Sequence, residues 1–134
     1  SYAQQKAKWI IEAAKKIVNN YGGKVPKDVN ELQKLKGVGR KTAVVIMVNA
    51  FGIVPGIPVD THVKRVSYRL GWTKNKQPNK IEDDLKNLIP KKWWKQTPWL
   101  LKAHGRAVCK APIPECSKCP IAKLCPRWGV SKSK

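Results

Sequence analysis

Leu35-Lys36-Gly37-Val38-Gly39-Arg40-Lys41-Thr42 is the stretch on which the reading of this chain turns. Upstream, Asp28 followed three residues later by Glu31 predicts a capping box and a short helix that ends at Leu35. Downstream, Arg40–Phe51 predicts a strongly apolar helix closed by Gly52. Two helices therefore meet at a turn with glycine at two positions, Gly37 and Gly39, where left-handed or close-approach backbone is open. The N–H groups that begin the second helix point outward, and with the positive helix end they form a phosphate site. Gly37, Val38, Gly39, Arg40 and Thr42 are the expected contacts, of the kind that position a nucleic acid without reading its sequence. Gly-x-Gly alone is also an ordinary helical corner. The Arg40-Lys41-Thr42 extension makes the string more specific.

The flanking segments read as further helices with little strand signal, so the fold class is all-α. Tyr2–Tyr21 spaces Trp9, Ile10, Ala13, Ala14, Ile17, Val18 and Tyr21 at helical intervals and stops at Gly22-Gly23. After a loop containing Pro55, Gly56 and Pro58, Asp60 or Thr61 caps a helix to Leu70, stopped by Gly71. Asn79 is expected to cap the next helix, with Glu82 three residues on and Pro90 ending it. Thr97-Pro98 reads as cap and first residue of a helix through Val108. Trp9 and Trp99 fall on apolar faces and are read as core, whereas Trp72, Trp93 and Trp94 lie near loops.

Composition narrows the partners. The 134 residues suffice for one domain or two small lobes. A chain of this size buries roughly 65–70% of its unfolded surface. At 42% apolar it is not a disordered tail. The longest apolar stretch, Ala43–Phe51, is too short to span a bilayer, and no signal-peptide pattern opens the chain, which points to an intracellular protein with no membrane role. The formal net charge is +20, from 28 Lys and Arg against 8 Asp and Glu. Such an excess favours a polyanion, with nucleic acid ahead of an anionic membrane because no strongly amphipathic basic helix stands out.

Cys109, Cys116, Cys119 and Cys125 are spaced C-x6-C-x2-C-x5-C and leave no cysteine over. In a proline-punctuated loop they suit a zinc ion or a [4Fe–4S] cluster, and spacing alone does not choose between these. Two disulfides are the third possibility, disfavoured without a secretory signal.

Leu35–Ala43 resembles the helix-hairpin-helix of a DNA glycosylase superfamily, and Val54-Pro55-Gly56-Ile57-Pro58-Val59-Asp60-Thr61-His62 resembles the Gly/Pro loop and Asp of the same proteins. The family most similar overall is endonuclease III. Lys36 departs from it, standing where the family usually has proline. The resemblance implies a helix-hairpin-helix glycosylase fold in two parts. Residues 1–52 would be part of a six-helix lobe, with the hairpin at about 29–48. Residues 53–134 would carry the catalytic Asp and an iron–sulfur lobe, with a cluster loop at 109–125. The four-cysteine spacing resembles that loop, which implies a [4Fe–4S] cluster on Cys109, Cys116, Cys119 and Cys125.

The implied activity is base-excision repair of double-stranded DNA bearing a damaged base or an abasic site. A bifunctional glycosylase and lyase of this type removes oxidised pyrimidines and cuts on the 3′ side of the abasic site. Lys41 would attack the sugar as an uncharged amine. The first turn of a helix helps there, because its positive end disfavours a cation. Asp60 would take the proton or stabilise the cationic sugar. Each residue has a plainer reading, Lys41 as a phosphate contact and Asp60 as a helix cap. His62 would touch a phosphate, orient the Asp60 loop or simply pack, and Arg65 continues the family-like string. His104-Gly105-Arg106 is read as packing of a helix on the cluster. Lys118 and Lys123, with Lys110 and Arg127, would present the cluster loop to phosphates. The alternatives are a non-catalytic DNA-binding module with a metal-stabilised basic loop, and a mismatch-type glycosylase without lyase action, against which Lys41 argues.

Family members carry an additional N-terminal stretch. The resemblance therefore implies that the apolar faces of Tyr2–Tyr21 and Ala43–Phe51 are exposed, rearranged, or covered by a second chain or by self-association. It also implies a truncated form that keeps DNA binding and some lyase action while base excision is impaired, since the damaged-base pocket comes partly from that stretch.

Overall fold

The structure is a computed structural model and describes residues 2–134; Ser1, at the edge of the expected first lobe, lies outside the described residues. Among the described residues the secondary structure is entirely helical. Six α-helices follow in order: α1 (Ala3–Tyr21), α2 (Val29–Gln33), α3 (Arg40–Phe51), α4 (Thr61–Arg69), α5 (Pro78–Leu88) and α6 (Thr97–Ala107). Short 3-10 turns lie at Lys91–Trp93, between α5 and α6, and at Cys116–Lys118 and Ala122–Leu124 after α6. The chain divides into two compact units, one ending at Pro55 and the other running Gly56–Lys134.

In the first unit, α1 ends where Gly22 takes a left-handed φ of 61°. Asp28 caps α2, accepting from the Glu31 N–H at 2.9 Å. The capping box is only half made. The Glu31 side chain does not return to the cap but takes the Tyr21 hydroxyl at 2.6 Å and the Lys34 ammonium at 2.7 Å, tying α1 to α2. Lys34 first, then Tyr21, holds the Glu31 carboxyl below its ordinary value of 4.5. A carboxyl that gives up its proton more readily folded than unfolded stabilises above that ordinary value, and the contribution fades as pH falls through the lower folded one. A carbon-13 NMR titration should place Glu31 below 4.5, with Tyr21→Phe moving it partway back up; a midpoint unmoved in that variant removes the hydroxyl from the account.

Leu32, Leu35, Ala43 and Met47 form the core of this unit, with Ala13, Ile17 and Tyr21 of α1 packed against it. The apolar face of α3 therefore divides: Ala43, Val44 and Met47 are buried while Val45 stays exposed. α1 has no buried residue, and Ile10 and Val18 on its expected core face are 69% and 65% exposed.

In the second unit the core is Ile57, Val63, Val66, Ile81, Leu85 and Leu101, drawn from the Gly/Pro loop, α4, α5 and α6. Burying each such side chain contributes about 1.5–3 kcal/mol. Two caps differ from expectation. Pro78 rather than Asn79 opens α5, because proline needs no amide donor at the first helical position. Gln96 rather than Thr97 precedes α6, since the Thr97 hydroxyl donates to the Trp93 carbonyl at 2.8 Å instead of capping. Trp99, expected in the core, is 78% exposed, on the side of α6 away from Leu101. Among the described residues no helix is long and apolar enough to cross a membrane.

Candidate functional site

The hairpin uses its two glycines differently. Gly37 adopts a left-handed φ of 79°, and a Cβ there would meet the Trp9 ring at 2.9 Å, so both conformation and space demand glycine. Gly39 is extended (φ −91°, ψ −178°) with open space around it; it is the N-cap of α3 and offers no side chain to the first amides. α2 and α4 begin under aspartate caps, whereas α3 begins bare. Its first-turn N–H groups lack intrahelical carbonyls by geometry, and Lys41 and Thr42 in that turn are exposed. Arg40 is half-buried, and Val38 packs on the core of this unit while its N–H closes the turn on the Leu35 carbonyl at 3.2 Å. The hairpin residues Leu35 to Gly39 themselves line a groove, together with Glu12, Lys16, Gln33 and Lys34.

Asp60 begins α4. Its Oδ1 accepts from the Val63 N–H at 2.8 Å, so the cap reading is realised with one carboxylate oxygen. Two residues on, the half-buried His62 presents Nδ1 to Arg65 Nη2 at 3.1 Å; arginine only donates, so the imidazole nitrogen accepts. Arg65 also donates to the Gly105 carbonyl at 3.0 Å and through Nε to the Cys109 carbonyl at 3.1 Å. Its burial lowers the guanidinium pKa. Gly105 makes room for this arrangement, since a Cβ there would stand 3.0 Å from Arg65 Nη2 and 3.1 Å from His62 Nδ1. The Asp60 helix is thereby bolted to α6 and to the first cysteine.

The four cysteines are unbridged and line one cavity with Arg69, His104 and Ile121. The cavity walls are mainly apolar, and a cluster held by four thiolates fits that donor set. Among the described residues no three His, Cys, Asp or Glu side chains converge on a single metal ion. Cys119 Sγ lies 3.7 Å from His104 Nε2, and Cys125 Sγ donates to the Arg69 carbonyl at 3.3 Å.

No sequence motif singles out Arg69. It is 9% exposed and its guanidinium donates to the carbonyls of Cys109 (3.2 Å), Lys110 (2.8 Å) and Pro112 (3.2 Å) and to Cys109 Sγ (3.4 Å). The available signal was its position on the Val63–Val66 stripe of α4, where a buried cation is satisfied by carbonyls. Of the expected phosphate contacts, Lys123 is exposed on the Ala122–Leu124 turn, and Lys118 is exposed but drawn toward Glu115 at 3.5 Å.

An all-helical chain with a two-glycine hairpin and a Gly/Pro loop running into an Asp-capped helix falls in the helix-hairpin-helix class. The profile of the HhH-GPD superfamily of base excision DNA repair proteins matches residues 1–91, and the chain belongs to that superfamily. It is 50% identical over 130 residues to the endonuclease III of Synechocystis sp., a match covering 97% of this chain and 59% of that protein. It is 48% identical over 132 residues to the Bacillus subtilis endonuclease III, covering 98% and 59%. Among solved structures it is similar to a trapped endonuclease III–DNA covalent intermediate and to a non-covalent endonuclease III–DNA complex. Each has a TM-score of 0.84 and 44% identity over 91% of this chain and 57% of that one. A thermostable thymine-DNA glycosylase follows at TM-score 0.80 and 29% identity, covering 92% and 58%. The chain thus spans under three-fifths of the length of these relatives.

Proposed function

We propose that this chain works in base excision on double-stranded DNA as a glycosylase and abasic-site lyase of the endonuclease III type. The observation that carries the reading is the similarity, at 44% identity over 91% of the chain, to an enzyme trapped covalently on DNA, together with an exposed Lys41 in the uncapped first turn of α3. We assign DNA positioning to the Gly37–Thr42 hairpin and, in the second lobe, to His62, Lys118 and Lys123. The lobe from residue 53 onward is assigned the carboxylate and the cluster loop.

Lys41 Nζ attacks C1′ of the damaged nucleotide. The C1′–N bond breaks, and the base leaves with the electron pair and takes up a proton. Asp60 takes the proton shed by the amine, or balances the positive charge on the sugar as the base departs. The sugar ring opens to an imine on Lys41, loss of a 2′ proton expels the 3′ phosphate, and water releases the lysine. Cys109, Cys116, Cys119 and Cys125 would hold a [4Fe–4S] cluster, which when bound braces a loop with too little apolar core to fold alone. Its place is within a DNA-bearing intracellular compartment.

The test is a duplex with one abasic site, incubated with protein whose iron and sulfide are assayed on the same sample. Strand cleavage and an iron–sulfide content of one cluster per chain are expected. Binding without cleavage selects the non-catalytic DNA-binding module instead, and stoichiometric zinc in anaerobically prepared protein rejects the cluster.

A further inference from the structure

Glu115, in the loop between the first two cysteines, stands in the chain between Lys110 and Lys118. Glu115 Oε1 accepts from Lys110 Nζ at 3.1 Å, and Oε2 lies 3.5 Å from Lys118 Nζ. Both carboxylate oxygens are therefore spent on cations, one from each side of the loop. Glu115 is the anchored partner: its side chain is 20% exposed, against 44% for Lys110 and 73% for Lys118. Its backbone is fixed as well, the N–H donating to Val108 at 2.9 Å and the carbonyl accepting from Lys118 at 3.1 Å. The chain end closes the same segment, Lys134 N–H donating to the Pro114 carbonyl at 2.9 Å and the Ser117 N–H to the Lys134 carbonyl at 2.9 Å.

A carboxylate held by two ammonium groups makes the same demand as the two non-bridging oxygens of a phosphodiester: one negative charge and two acceptor atoms. We propose that Lys110 and Lys118 form a two-cation phosphate site whose occupant in the free protein is Glu115, so that the carboxylate competes with a DNA phosphate for both lysines. The inference rests on the DNA-binding reading above and adds an internal competitor to it. The lysines supply the movement, since the acid sits on tethered backbone and each long lysine side chain is more exposed than it is. Pairs whose cations reach solvent break at small cost, so the competitor tunes affinity and does not block binding. With only 8 acids in the chain against 28 bases, an acid bridging two of those bases lowers non-specific attraction where the loop would meet DNA.

The experiment compares the wild-type protein and Glu115→Gln, as isolated, binding a labelled duplex with an abasic-site analogue across a salt series. Glu115→Gln is expected to bind about three- to tenfold tighter at 0.1 M salt, with a slope of log K against log salt steeper by up to about two. The slope is independent of the active fraction, so a variant that folds less completely is still readable. In a Lys110→Gln/Lys118→Gln background the same substitution is expected to change affinity less than about twofold. An equal gain in that background shows that any removed negative charge suffices and overturns the proposal, as does an unchanged slope with the lysines present. Failure of the wild type itself to bind duplex at low salt overturns the DNA reading and this inference with it. Wild-type binding with a silent Glu115→Gln overturns only the competitor.

Discussion

Lys41→Gln is expected to abolish borohydride trapping on abasic DNA, with strand cleavage falling below about a thousandth of the parent rate. Trapping needs a primary amine that condenses with the sugar aldehyde, and glutamine has none. The chain carries 22 other lysines, so a surface amine near the aldehyde sets the background. A true nucleophile differs from that background in being held in one place, on the first turn of α3 behind an N-cap with no side chain. The loss of one positive charge weakens binding by at most about one phosphate contact, so the comparison is made at saturating protein. Asp60→Asn should leave binding in place and slow cleavage by about 10²–10⁴-fold. Asparagine still offers a carbonyl to the Val63 N–H, so the α4 cap survives and the loss reads on proton transfer and charge. Trapping of Lys41→Gln as efficient as that of the parent would leave Lys41 with only its phosphate-contact role.

Arg69→Met is expected to lower the stability of the second unit by about 3 kcal/mol or more and to speed the loss of iron to a chelator. Methionine fills much of the buried stem, so packing is largely kept. What disappears is the fork of donors. The carbonyls of Lys110 and Pro112 lose their guanidinium partner while that of Cys109 keeps only Arg65 Nε, and each buried carbonyl left unpaired costs about 1–3 kcal/mol. Those three carbonyls belong to the stretch that leaves α6 and sets the first cysteine, so loop geometry and metal retention fall together. The measurement is the urea midpoint beside the rate of iron release, with Arg69→Lys as comparison. Lysine keeps the charge but not the planar fork, and should recover less than half of the loss. A midpoint within about 0.5 kcal/mol of the parent, with unchanged iron release, would mean that water satisfies those carbonyls.

Much of the architecture was legible in the chain because it depends on local chemistry. The helix breaks at Gly22, Gly52 and Gly71 needed only the left-handed backbone that glycine adopts, and all three take it. The Asp28 and Asp60 caps needed only a carboxylate three residues before a free amide. The turn at Gly37 was equally readable, since its left-handed backbone is a local property of glycine. Long-range choices were not legible. Glu31 had the spacing of a capping box, but Tyr21, ten residues away, competed for it and won. Thr97 looked like a cap until the Trp93 carbonyl took its hydroxyl. Trp99 lay on an apolar face of its helix, yet which face turns inward was decided by Leu101 packing on α4 and α5.

By itself the sequence determined the glycine-stopped helix ends and the aspartate caps, that the chain is a polycation, and which residues carry reactive groups, because backbone preference, charge and functional-group identity are properties of a residue and its near neighbours. Only the tertiary structure decided that Arg69 turns inward to hold the first cysteine's loop and that Gly105 leaves space for Arg65 and His62. Those outcomes depend on groups up to about forty residues apart reaching hydrogen-bond distance, and a pairing of that kind exists only once the helices between them have packed.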